Sequence, residues 1–166
     1  MNAIKQNGFT LIELVVTIII LAILATVALP KFINIQSDAR IAALQGLKGE
    51  MSGTLPQVHA KAVIENLATQ PSTQISLNGD QVELAYGYPA ADSANAWDLL
   101  LQATFADAIF NADDPADWYF HNNKAEPFIR FMHPSKKSSG DNCYLKYTQA
   151  QSSNQAPSFE IVVTGC

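Results

Sequence analysis

The sequence predicts an α+β fold in which a long N-terminal helix projects its hydrophobic half and packs its amphipathic half on an antiparallel β-sheet head. Three observations predict it. Residues 9–29 form an apolar run interrupted only by Thr10, Glu13, Thr17 and Thr26. Phe32, Ile35, Ala39, Ala43, Leu47, Met51, Leu55, Val58 and Ala62 then recur every three or four residues, which is one apolar face of an amphipathic helix. Beyond Gln70, short stretches alternate apolar and polar side chains between turn residues, as half-buried antiparallel strands do.

The helix is expected to run unbroken from Phe9 to about Glu65, roughly 85 Å. Its polar face carries Asp38, Arg40, Lys48 and Lys61. Pro30 and Pro56 each remove a backbone donor, so a kink is expected near each. Gly46, Gly49 and Gly53 weaken the stretch between them, by about 1 kcal/mol each relative to alanine. Tight packing of small residues against the head is the reading preferred for them.

Residues 70–73 read as a linker. Thr73–Leu77 and Gln81–Ala85 flank Asn78-Gly79, a strong hairpin signal. Residues 87–89 form a turn. A second helix is expected over Ala94–Phe110, capped by Asp92 or Ser93, burying Leu99, Leu100, Ala103, Ala106 and Phe110. Asn111–Asp117 is an acidic loop. The last strands fall at Pro127–His133, Cys143–Thr148 and Ser158–Thr164, with Lys136–Asp141 as a hairpin loop.

The 166 residues carry a net charge of −5, unevenly placed. Residues 9–65 hold four basic and four acidic side chains; from Asn66 onward there are five and eleven. An acidic head repels phosphates, which argues against nucleic acid as a partner. The apolar run of 21 residues spans about 31 Å as a helix, the thickness of a bilayer core. It is longer than the apolar region of a secretory signal, and its alanines (Ala22, Ala25, Ala28) make no A-x-A exit. With an export-like start, Cys143 and Cys166 read as one disulfide rather than two buried thiols. The bridge would close about 24 residues and contribute roughly 3 kcal/mol in the chain-entropy model.

A plain anchor explains neither Gly8-Phe9 nor Glu13. Gly8-Phe9-Thr10-Leu11-Ile12-Glu13-Leu14 resembles the signature of type IV prepilins, with Pro30 where many pilins kink. The resemblance implies a leader at 1–8, a hydrophobic transmembrane and assembly helix at 9–30, and a globular head at 31–166 that includes the packed half of the helix. It implies cleavage after Gly8 by a prepilin peptidase and N-methylation of Phe9. Residues 31–40, residues 44–48, Asn78-Gly79 and residues 86–89 further resemble one subgroup, the mannose-sensitive haemagglutinin pilins. The implied role is structural and not enzymatic. Many copies polymerise through the type IV pilus machinery, moving from the inner membrane to an extracellular pilus on a Gram-negative bacterium. The subgroup resemblance implies attachment to surfaces or host glycans.

Glu13 has no lysine, arginine or histidine between Phe9 and Val27 to pair with. An intramembrane acid marks function, and the family implies a partner in the Phe9 amine of the adjoining subunit. Other candidates are weaker. Asp107, Asp113, Asp114 and Asp117 offer oxygens to calcium but lack the EF-hand glycine and distal glutamate. His59, His121 and His133 have no zinc-like spacing. Trp97, Trp118, Tyr86 and Tyr88 read as core rather than a sugar platform. No catalytic motif occurs and no cofactor is implied. The alternatives are a type II secretion pseudopilin, a minor tip adhesin and an anchored module that never polymerises. The two cysteines favour a pilin over the first, and Glu13 argues against the last.

Overall fold

The computed structural model describes residues 8–123 and 125–166. The leader expected at 1–8 lies outside the described residues apart from Gly8. The fold is α+β and pilin-like: an apolar N-terminal helix, a short helical segment and a largely antiparallel sheet. The chain divides into two units, residues 1–38 and residues 39–166.

Helix α1, Leu11–Ile64, runs through positions 30 and 56 without interruption. In the first unit every residue from Gly8 to Leu29 is exposed, including Leu11 at 80% and Val27 at 72%. In the second unit α1 buries Leu44, Leu47, Met51, Val58 and Ala62. The expected face is therefore correct from Leu47 onward and gains Leu44, whereas Phe32 and Ile35 remain exposed. Gly46, Gly49 and Gly53 do not pack against the head. They lie on the exposed face, and a Cβ at any of them would meet nothing within 4 Å.

Strands β1 (Thr73–Leu77), β2 (Asp80–Ala85) and β3 (Tyr88–Pro89) form a small antiparallel sheet. Leu77 pairs with Asp80 across Asn78-Gly79, whose φ values of 53° and 101° suit the two-residue turn the dipeptide predicts. The larger sheet runs β4 (Phe105–Asp107), β5 (Trp118–Asn122), β6 (Phe128–Met132), β7 (Tyr144–Thr148), β8 (Ser158–Val162) in sequence order. Its pairs are antiparallel except β4–β5, which is parallel. Ile129, Phe131, Leu145 and Tyr147 join the buried α1 residues, Ile75, Val82, Leu84 and Trp97 in one core.

The second helix departs most from expectation. Only Ser93–Trp97, a π-helical turn, and α2, Asp98–Leu100, are helical. Asp92 is the cap, accepting from the Asn95 amide. After Leu101 the chain becomes extended because Thr104 and Asp117 lock together. The Asp117 carboxylate accepts from the Thr104 amide (2.9 Å) and hydroxyl (2.8 Å), and the Asp117 amide donates back to that hydroxyl (3.0 Å). This clasp aligns β4 with β5. Ala106 is buried in a strand rather than a helix, Leu99 sits at the surface, and Phe110, expected in the core, is 83% exposed.

Candidate functional site

The N-terminal segment is a capped helix start. The Glu13 carboxylate accepts from the Thr10 amide (3.0 Å) and hydroxyl (2.8 Å), and the Thr10 hydroxyl accepts from the Glu13 amide (3.4 Å). Thr10 and Glu13 thus form a reciprocal capping box that occupies donors α1 cannot satisfy internally. The T-x-x-E spacing is visible in the sequence, and reading Glu13 as lacking any partner in its own helix overlooked it. Among the described residues the acid has a local partner but no cation; Phe9 is 81% exposed. Thr17 and Thr26 return their hydroxyls to carbonyls one turn back, Leu14 at 2.8 Å and Ile23 at 2.7 Å. This hides the remaining side-chain polarity of the run. Leu11–Leu29 is long and apolar enough to cross a membrane.

The second structural fixture is the C-terminal staple. Cys143 and Cys166 are disulfide-bonded, with Cα atoms 4.8 Å apart. Arg40 donates Nη1–H to the Cys166 carbonyl and Nε–H to the Ser135 hydroxyl (2.9 Å). The Gly165 amide donates to Asn142 O at 3.1 Å. A Cβ at Gly165 would collide with the Asp141 carbonyl, so only glycine permits this approach. Arg40, read as a polar-face residue of the helix, therefore ties α1 to the chain end, which no sequence spacing reveals. The neighbouring His133 imidazole is held below its usual range, first by burial and then by the Arg40 charge.

The remaining candidates disperse. Trp97 is fully buried, edge-on to Tyr147 at 4.8 Å. Tyr147 donates to the Pro89 carbonyl at 2.6 Å, and burial raises its phenol above the ordinary value. Tyr88 stacks on His59 at 4.2 Å. The Asp117 carboxyl is pulled below its usual range by the two Thr104 donors. Asp107 accepts from its own turn, from the Ile109 amide at 2.7 Å. No group of three metal-ligating side chains converges among the described residues.

The chain matches the family model described as the prokaryotic N-terminal methylation motif over residues 4–29. No curated protein and no solved structure matches it. The motif supports a precursor of the type IV pilin or pseudopilin class. Such a motif implies processing by a prepilin peptidase followed by assembly. Motif, apolar helix and fold together fit a membrane-anchored structural precursor rather than an enzyme.

Proposed function

We propose that the chain is the repeating subunit of a type IV pilus. The single observation that carries this is Glu13, the one acid in the Leu11–Leu29 stretch of α1, which is apolar apart from two threonines and exposed on every side. A helix exposed all round is stable only in lipid or among like helices. A carboxylate held at its start suits a filament core in which the amine of a neighbouring Phe9 reaches it. Cleavage follows Gly8, Phe9 becomes the methylated terminus, residues 9–30 serve first as membrane anchor and then as assembly helix, and residues 31–166 form the displayed head. Pro30 gives the helix a place to bend or melt during assembly.

A pseudopilin of a secretion system shares the motif; the Cys143–Cys166 staple of the head supports the pilin reading over it. The subgroup resemblance extends the reading to surface attachment, with a glycan as the receptor class. Electron microscopy of producing cells, with and without this chain, tests the proposal. Long filaments should vanish on deletion, and intact mass should show a chain beginning at methylated Phe9. Absence of filaments from the producing strain, or a different mature start, would overturn it.

A further inference from the structure

The outer face of the large sheet carries a polar row in direct register: His121, Arg130, Lys146 and Glu160, one each from β5 to β8. Lys146 is satisfied by Glu160 at 2.9 Å. Arg130 is not. Its guanidinium lies over the Phe128 ring at 5.0 Å and the Tyr144 ring at 5.4 Å, and its Nε is buried without an acceptor among the described residues. Like charges directly opposite in a sheet are destabilising, yet Arg130 and Lys146 are directly opposite. Two rings hold the arginine in place with its Nε unspent among the described residues. It is a preorganised cation, framed by aromatic surface, in a region where bases are outnumbered eleven to five.

The complementary feature is the loop after β4. The Asp107 carboxylate accepts from the Ile109 amide (2.7 Å) and the Phe110 amide (3.2 Å), and the Asn111 amide donates to the Asp107 carbonyl (2.9 Å). Asn111 Nδ2 donates to Asp114 (3.1 Å), and Lys137 donates to the Ala112 carbonyl (2.6 Å). This ordered turn presents Ile109 at 62% and Phe110 at 83% exposure, followed by exposed Asp113 and Asp114. Two large apolar side chains beside two carboxylates match a cation set among aromatic rings.

The loop lies beside its own chain's row without pairing with it: the Tyr119 hydroxyl, on the Arg130 face, donates to the Asp114 carbonyl, and no ion pair joins Asp113 or Asp114 to Arg130 among the described residues. Phe110 borders a recess with Ser93 and Phe120. Phe120 pairs with Phe131, whose side chain is buried in the core, so both lie on the inner face, opposite Arg130. Phe110 on the inner side and the Phe128–Tyr144 pair on the outer are unlike patches, and a contact between unlike patches of two copies is heterologous.

We infer that the 109–114 loop of one copy docks on the Arg130–Lys146 face of another, with Phe110 against Phe128 and Tyr144 and with Asp113 or Asp114 on Arg130. The inference rests on the filament reading only in needing copies side by side. Its test is photocrosslinking in cells producing the full chain with Phe110→p-benzoylphenylalanine, with filaments imaged in the same samples. Crosslinked dimers whose adduct maps to residues 128–148 of the second copy are expected. Arg130→Gln should lower their yield about tenfold, and Arg130→Glu should lower it further. Combining Arg130→Glu with Asp113→Lys and Asp114→Lys should restore it. Filaments without that adduct would overturn the docking and leave the filament reading intact. An adduct formed by cells that make no filaments would do the reverse. An adduct unaffected by Arg130→Glu would overturn the role of the charge, and with it the inference.

Discussion

Two stretches of one helix, Leu11–Leu29 and Leu44–Ala62, solve opposite problems. The first is apolar in every direction and buries nothing within the chain. The second is apolar on one face and buries most of it, from Leu44 at 0% to Ala62 at 0% exposure, with Leu55 partly buried. Even the polar exceptions differ in use. Glu13 turns back onto Thr10 and closes the helix start. Arg40, just ahead of the second stretch, reaches across the fold to Ser135 and the Cys166 carbonyl. A segment that buries nothing within the chain keeps its polarity local; one whose partners are in the same chain spends it on tertiary contacts.

The largest break of that contrast is expected at Glu13. Glu13→Val removes the charge from the exposed stretch, so the precursor should still be cut after Gly8 and accumulate in the membrane, with filaments lost or nearly so. Membrane and sheared fractions probed with one antibody decide it, and normal filament yield would show that the charge does not direct assembly. Thr10→Val separates cap from charge: it should weaken the helix start and leave assembly substantially intact.

Next come core changes that should affect only the head. Leu44→Ala is expected to destabilise it by about 2–5 kcal/mol, as a cavity in a close-packed core does. Ile19→Ala should move the head's denaturation midpoint by less than about 0.5 kcal/mol. Comparable shifts from the two would mean that the exposed stretch is part of the folded core. Breaking the staple with Cys143→Ser should cost about 2–5 kcal/mol and lower subunit abundance, measured by reducing-gel immunoblot, before any filament phenotype appears.

Smaller effects sharpen the picture. Gly49→Ala, on the exposed face with open space where a Cβ would go, should stabilise the head by about 0.5–1 kcal/mol. No gain in thermal midpoint would contradict the open geometry. His133 supplies the pH term. Its folded pKa is depressed below the ordinary value of 6.5, so the unfolded chain binds the extra proton first. Its contribution is therefore fully present above about pH 6.5 and is lost as pH falls through the unfolded value toward the folded one. His133→Gln should flatten the midpoint-versus-pH curve in that window. An unchanged slope would place the titration elsewhere.

Several elements could be read from sequence because each rests on local chemistry. Periodicity yields α1 to within two residues of its start, since no burial is needed to tell an all-apolar run from a one-sided one. Asn78-Gly79 sets a two-residue turn through backbone conformation alone. The final three strands alternate plainly. The T-x-x-E spacing at Thr10 is equally local, and it sets the capping box that Glu13 closes.

The stretch from Ala94 to Phe110 shows where local information stops. Its helical spacing and its Asp92 cap are real, and the chain obeys them for two turns. What ends the helix is the Thr104–Asp117 clasp, a contact between residues 13 apart, with β4 then taken up by the sheet. Likewise, nothing in the order of residues places Arg130 between Phe128 and Tyr144 or opposite Lys146; strand register does. The sequence by itself determined the apolar helix, its acid, its processing motif and the turn chemistry, because these depend on neighbours a few residues away. Tertiary structure alone decided which charges meet, which aromatic residues stay outside and what Arg40 holds, because those depend on which strands pair, and pairing is set by burial of the whole core.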